Sequence, residues 1–343
     1  MAQVVYAGID TLRHMSEIVS GAKRPFVVCK PRVKESLPRL DSTVYFDQFT
    51  PNPMLADVLD GVALFERESC DFMVSVGGGS AIDVAKGINI LQGDDSAALL
   101  DAPRARHLTV PTTAGTGSES TCFSVLYKDG EKISVEQAGI LPEFVILDPV
   151  FLRTLPLYHK KSALLDALCQ ALESLWAKGK TPTSKAYALD AIDVILADMD
   201  GYLAGDDSSA LRILQAANLS GKAINIGKTT AAHAMSYKLS TVFGIAHGHA
   251  VALCLPYVAE HLLAVGAAPS EFSQKDYDRF VSILIGLDMA FDFAAHGDVS
   301  EAMIASLAAS VNPGRLGNHA VDISTDTLAS MYRKVLENAV FSG

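Results

Sequence analysis

The chain has 343 residues, enough for about two domains at ~150 residues each; with 49% hydrophobic and 20% charged residues, it is not an extended disordered chain. Its 28 basic and 39 acidic side chains give a net charge of −11, which argues against nucleic acid as a partner, because affinity for that polyanion depends on clustered Lys and Arg. The cysteines, Cys29, Cys70, Cys122, Cys169 and Cys254, are odd in number and widely spaced, as expected in a reducing compartment. The start of the chain carries no basic stretch followed by an apolar one, and no apolar run reaches the ~18–20 residues of a membrane span. The expectation is therefore a soluble, cytoplasmic protein without a membrane partner.

Strand-like and helix-like segments alternate through the first half. Pro25–Lys30, Ser42–Phe46, Phe72–Val76, Leu108–Val110 and Phe144–Leu147 read as strands. Met54–Ser69 reads as a helix, with apolar residues three and four apart at 55, 58, 59, 62 and 65, and another helix is expected from Ala81. This alternation predicts a parallel sheet covered by helices. After Asp148-Pro149 the pattern turns Ala- and Leu-rich with helical period, over 161–178, 184–203 and 211–224. The expected organisation is an α/β domain over 1–155 and an all-helical domain over 156–343.

Two loops in the first half carry binding chemistry. Gly77-Gly78-Gly79-Ser80 stands between a strand and a helix, where glycine lets backbone approach a phosphate and a helix N-terminus offers free N–H groups. A tight turn with Ser80 as the N-cap would use the same residues, and the usual G-x-G-x-x-G fingerprint is absent. Pro111–Thr121, rich in hydroxyls and small residues, follows another strand; it reads either as a surface turn or as the second wall of a ligand site at the sheet's carboxyl edge.

In the second half, Asp166 and Gln170 share one helix face at i and i+4, among Leu and Ala. His233, His247 and His249 follow within seventeen residues. A carboxylate with imidazoles suits divalent iron or zinc, although hydrogen-bonded core histidines would produce the same spacing.

Taken together, GGGSAIDVAK (77–86), PTTAGTGSEST (111–121), DALCQALES (166–174) and HAMSYKL through HGHAVALCLP (233–256) resemble the iron-containing, group III alcohol dehydrogenase family, over nearly the whole chain. The resemblance implies the dehydroquinate synthase-like fold: an α/β nucleotide-binding domain, a helical domain, NAD(P) and one divalent metal in a cleft, and a homodimer. By position, it implies metal ligands at Asp166, Gln170, His233 and His247, with Gln170 replacing the family's usual histidine. The metal is expected to be Fe2+, with Zn2+ as the alternative. Tyr237 stands where the family often has histidine and would relay a proton or pack on the cofactor.

Cofactor contacts carried over in this way are Gly77, Gly78, Gly79, Ser80, Asp83, Thr112, Thr113, Thr116, Ser118 and Lys132. The acidic residue that the resemblance places at the end of the strand reading Pro25–Lys30 is replaced by Lys30, with Arg32 close behind, which favours NADPH over NADH. The segments are most similar to the phosphonoacetaldehyde reductase branch, which implies reduction of phosphonoacetaldehyde to 2-hydroxyethylphosphonate. An anionic substrate would need cations, for which Lys222, Lys228, Lys238, Arg315 and above all His249 are candidates. The alternatives are a general alcohol or aldehyde dehydrogenase, a dehydroquinate-synthase-like lyase, and a non-catalytic nucleotide or metal binder.

Overall fold

The computed structural model describes residues 3–94, 98–129, 131–297 and 299–341. Its chain divides into two compact units, Met1–Leu155 with Asp198–Gly221, and Pro156–Ala197 with Lys222–Gly343.

The first unit is built on β1 (Val4–Ala7), α1 (His14–Val19), β2 (Pro25–Cys29), α2 (Pro31–Lys34), β3 (Val44–Phe46), α3 (Leu55–Arg67), β4 (Phe72–Gly77), α4 (Gly79–Ile90), β5 (Arg106–Pro111), a hairpin of β6 (Phe123–Lys128) and β7 (Glu131–Glu136), and β8 (Phe144–Leu147). Six strands form a parallel sheet in the order β1-β8-β5-β4-β2-β3. Strand β2 shows why the sequence reads as an unbroken apolar run. Phe26 and Val28 enter a core with Val58, Val62, Val84 and Ile88, while Val27 and Cys29 enter one with Met15 and Val19 on the opposite face. A strand buried on both faces has no polar alternation to show.

The strand order places a topological switch between β2 and β4. From β2 the chain steps outward to β3, whereas from β4 it moves the other way through β5 to β8. Cys29 pairs with Val76, so the segments leaving β2 and β4 start side by side and diverge, the geometry in which open α/β sheets bind ligands.

The sheet also holds a buried histidine with a consequence for stability. Ser75 Oγ donates to Thr109 Oγ1 at 2.9 Å and so accepts from His107 Nε2 at 2.8 Å, while His107 Nδ1 has no partner. Burial, reinforced by the charge of Lys86, pushes the His107 pKa down to about 3 from an ordinary 6.5. Between those values the unfolded chain binds a proton that the folded chain refuses, so stability is lost as pH falls below 6.5. The loss between pH 7 and pH 5 is about 2 kcal/mol. Urea unfolding should show a pH dependence over that range that is shallower by this amount in His107→Gln.

The second unit is helical. It is formed by α5 (Leu157–Trp176), the first part of α6 (Pro182–Ala204), the end of α7 (Asp207–Gly227), α8 (Ala231–Phe243), α9 (His247–Ala264), α10 (Gln274–Gly286), α11 (Glu301–Ala309), α12 (Pro313–Gly317) and α13 (Thr325–Leu336). The remainder of α6 and α7 groups with the sheet. There Asn218 Nδ2 donates to Glu119 Oε1 at 3.1 Å, and Gly117, at φ +59°, packs directly on Gly221: a Cβ on Gly221 would lie 2.4 Å from the Gly117 carbonyl oxygen. All five cysteines are free thiols, and among the described residues no helix is long and apolar enough to cross a membrane.

Candidate metal centre and nucleotide loops

In the first unit, the two loops expected to bind a ligand meet at the carboxyl ends of β4 and β5. Gly77 pairs with Pro111, and Thr112 N–H donates to the Gly77 carbonyl at 3.0 Å. A Cβ on Gly79 would lie 2.9 Å from Thr116 Cγ2, so a residue with no side chain is needed for this contact. Thr113 abuts Gly78 in the same way, at 3.3 Å. The N-cap of α4 is Gly78, with no side-chain cap and no acidic residue in the first turn. Ser80 is thus inside the helix, not its cap, and the uncapped N–H groups favour an anion. Ser118 to Thr121 are buried, so the second loop is not a surface turn.

Two expected cofactor contacts are engaged within the protein. Asp83 Oδ1 accepts from Ser118 Oγ at 2.6 Å and Oδ2 from Val125 N–H at 3.1 Å. Burial raises the Asp83 pKa against the pull of Lys86, Ser118, Val125 and Lys132. Lys132 stands opposite Tyr127 in the hairpin.

Beneath the loops lies Lys86, to which the sequence reading gave no role. Its ammonium is fully buried, with its three protons shared among Ser118 O at 2.6 Å, Phe123 O at 2.9 Å, Thr121 Oγ1 at 3.0 Å and Ser118 Oγ at 3.2 Å. Burial lowers its pKa to about 8 against the carboxylates of Asp83 and Glu119. Lys86 therefore ties α4 to the 118–123 segment.

Lys30, across the switch point, is exposed. Its ammonium donates to the carbonyls of Asp47 (2.6 Å) and Phe49 and stands 4.1 Å from the Phe49 ring centroid.

In the second unit, α5 carries Asp166, Gln170 and Glu173 on one face, α8 carries His233 and Tyr237, and α9 begins at His247. Gly248 lets α9 meet α5: a Cβ there would lie 2.0 Å from Ser162 O and 2.7 Å from Asp166 Cβ. The result is a cluster of Asp166, His233 and His247 whose ligand atoms lie within 4.8 Å of one another. His233 Nε2 is 3.4 Å and His247 Nε2 3.9 Å from Asp166 Oδ1. Asp166 Oδ1 and His233 Nε2 are buried without a hydrogen-bond partner. Two orphaned polar atoms converging beside a second imidazole is what a divalent ion would satisfy, and two imidazoles with one carboxylate suit iron or zinc.

Burial opposes ionisation of Asp166, but His233, His247 and the hydrogen bond from Gln170 outweigh it and keep the carboxyl below its usual pKa. Gln170 is thus positioned against Asp166. Burial likewise opposes the charge on His233, yet Glu173 and Asp166 raise its pKa, so the metal-free ring favours the cation and a bound ion would displace the Nε2 proton. Tyr237 stacks on His247 with ring centroids 5.9 Å apart and planes at 16°.

His249, expected as an anion-binding cation, is occupied inside the protein. Its Nε2 donates to Met289 O at 2.7 Å, so Nδ1 accepts from Tyr158 Oη at 3.1 Å, and the ring is buried. Burial lowers its pKa, making it a neutral packing residue. Of the other candidate cations, Lys222 lies 6.0 Å from the Tyr187 ring centroid. Replacing Gly248 by Ala should push α9 off α5. Overpacking of about 1–3 kcal/mol, expressed at the site, corresponds to roughly 5- to 150-fold in zinc affinity, measurable by chelator competition.

Comparisons with known proteins agree with this geometry. Residues 2–149 match the family model for iron-containing alcohol dehydrogenase, and residues 161–334 match that for the C-terminal part of the Fe-containing alcohol dehydrogenase family. The chain belongs to the iron-containing alcohol dehydrogenase family. It is 33% identical over 268 residues to the phosphonoacetaldehyde reductase of Streptomyces viridochromogenes, covering 72% of this chain and 66% of that protein. It is 34% identical to the 1,3-propanediol dehydrogenase of Klebsiella pneumoniae over 66% of this chain and 61% of that one. The chain thus spans slightly less than two thirds of the length of these two relatives. Among solved structures, the sulfoacetaldehyde reductase of Bifidobacterium kashiwanohense in complex with NAD+ superposes with a TM-score of 0.86 at 26% identity, over 97% of each chain. These relatives differ in substrate, so no single branch is singled out.

Proposed function

We propose that this chain is a divalent-metal- and NAD(P)H-dependent oxidoreductase that reduces small aldehydes to alcohols, without restriction to one substrate. The observation that carries the reading is the convergence of Asp166 Oδ1, His233 Nε2 and the His247 imidazole on one spot, with two of the three atoms otherwise unpartnered. When bound, a divalent ion would polarise the carbonyl oxygen as a Lewis acid and the reduced nicotinamide would supply hydride. Iron is the expected ion and zinc the alternative.

The protein's own part is to orient and to manage protons. Asp166, His233 and His247 hold the ion, with Gln170 either as a further oxygen donor or as the residue that steadies Asp166. Gly77, Gly78, Gly79 and Ser80, with Thr112, Thr113 and Thr116, cradle the cofactor's phosphates and ribose. Tyr237, stacked on His247, is the proposed group that returns a proton to the product oxygen. Lys30 favours NADPH: two of its three N–H donors hold the loop after β3, which leaves one for a 2′-phosphate. Assembly as a homodimer is part of the same reading.

A second reading, phosphonoacetaldehyde as the substrate, draws support from two relatives named for two-carbon aldehydes with an anionic tail. With His249 buried and neutral, Lys222, Lys228, Lys238 and Arg315 are the remaining candidates for that tail. The test follows NADPH and NADH oxidation by iron-loaded protein with acetaldehyde, propionaldehyde and phosphonoacetaldehyde. Comparable turnover of all three supports a general reductase. Turnover of phosphonoacetaldehyde alone supports the second reading, and no net cofactor oxidation with any aldehyde would overturn both.

A further inference from the structure

Glu173 is not among the expected ligands, yet it is fully buried on the same face of α5 as Asp166 and Gln170, one further turn along. Three donors converge on its carboxylate. His233 Nδ1 and Thr230 Oγ1 donate to its two oxygens, and Ala232 N–H donates to Oε1 at 2.9 Å. Thr230 Oγ1 is itself held by Trp176 Nε1 at 3.1 Å. A chain of hydrogen bonds therefore runs from Trp176 through Thr230 and Glu173 to the far side of the His233 ring.

We infer that Glu173 is the positioning residue of the metal centre: by accepting the Nδ1 proton of His233, it fixes the tautomer that turns the Nε2 lone pair toward Asp166 and His247. The inference rests on the metal-centre reading above. His233 Nε2 has no partner of its own, so the ring's orientation is set by what holds Nδ1. An ionised carboxylate is the matched acceptor because every contact it makes is to a donor. Glutamine at 173 would present an amide N–H₂ to at least one of those donors, so it cannot accept from all three and hold the ring as the carboxylate does. Residues 166, 170 and 173 are spaced i, i+4, i+7 on one helix face, a polar stripe inside an apolar segment.

The test is the zinc affinity of chelator-stripped wild-type, Glu173→Gln and Glu173→Asp proteins, by competition with a chromophoric chelator. The expected result is a loss of about 10–100-fold in Glu173→Gln, with partial recovery in Glu173→Asp. Affinity within twofold of wild type in a folded Glu173→Gln protein would overturn the positioning role. Failure of wild type to bind zinc would instead overturn the metal-centre reading. A second measurement does not depend on the variant folding. In zinc-loaded wild type with ¹⁵N-labelled histidine, His233 should be metallated at Nε2 and protonated at Nδ1. The opposite tautomer would overturn the inference.

Discussion

Replacing Asp166 by Asn should abolish stoichiometric binding of iron or zinc and lower aldehyde reduction by roughly three orders of magnitude or more. Asn preserves the shape of the side chain and its place on α5 but removes the only anionic oxygen of the cluster, which His233 and His247 both face. The Lewis-acid contribution at stake is several kcal/mol, and each 1.36 kcal/mol is tenfold in rate. His233, His247 and Gln170 hold Asp166 ionised against its burial, so the neutral amide gives up those attractions along with the ligand and should lower stability as well. Metal content by mass spectrometry, steady-state turnover and a thermal melt separate loss of the site from loss of the protein. A folded variant that kept full metal and full turnover would remove Asp166 from the site.

The second large effect is expected at Lys86, where Lys86→Met should cost about 3–5 kcal/mol, as for breaking a buried charge cluster on one side. Methionine fills the same space but supplies no proton to the carbonyls of Ser118 and Phe123 or to the hydroxyls of Ser118 and Thr121. Asp83 and Glu119 would lose the nearby cation as well. Because this network holds the second loop, nucleotide affinity should fall together with stability. Urea unfolding and quenching of intrinsic fluorescence by NADPH measure the two effects. A variant within about 1 kcal/mol of wild type would mean that water replaces the ammonium at little cost.

Much of the fold was legible because the signals are local. Phe72–Gly77 running into a glycine loop, and buried positions 55, 58, 62 and 65 on α3, needed no tertiary knowledge. Strand β1 was missed: it is four residues long and largely exposed at the sheet's edge. The β6–β7 hairpin was missed because only Ile133 and Val135 are apolar in β7, and it is anchored on α4 by the Val125 N–H to Asp83 bond. No helical period could show that the stretch 198–221 groups with the sheet, where Gly221 packs on Gly117 and Asn218 donates to Glu119.

The candidate site divides in the same way. Asp166, His233 and His247 were found through motif order and meet in space. Lys86 and Glu173 were inside the same motifs but went unassigned, because their partners lie 32 or more residues away in sequence. For His249, the distance in sequence from His247 says nothing of Tyr158 and Met289, to which its ring is hydrogen-bonded.

The most direct test of the account is metal-dependent turnover. The protein is stripped with chelator, and NADPH or NADH oxidation with a small aldehyde is followed anaerobically before and after stoichiometric Fe2+ is restored. Turnover should be negligible in the stripped protein and recover on adding iron. Equal turnover in the stripped and loaded proteins, or none in either, would contradict the metal-dependent reading.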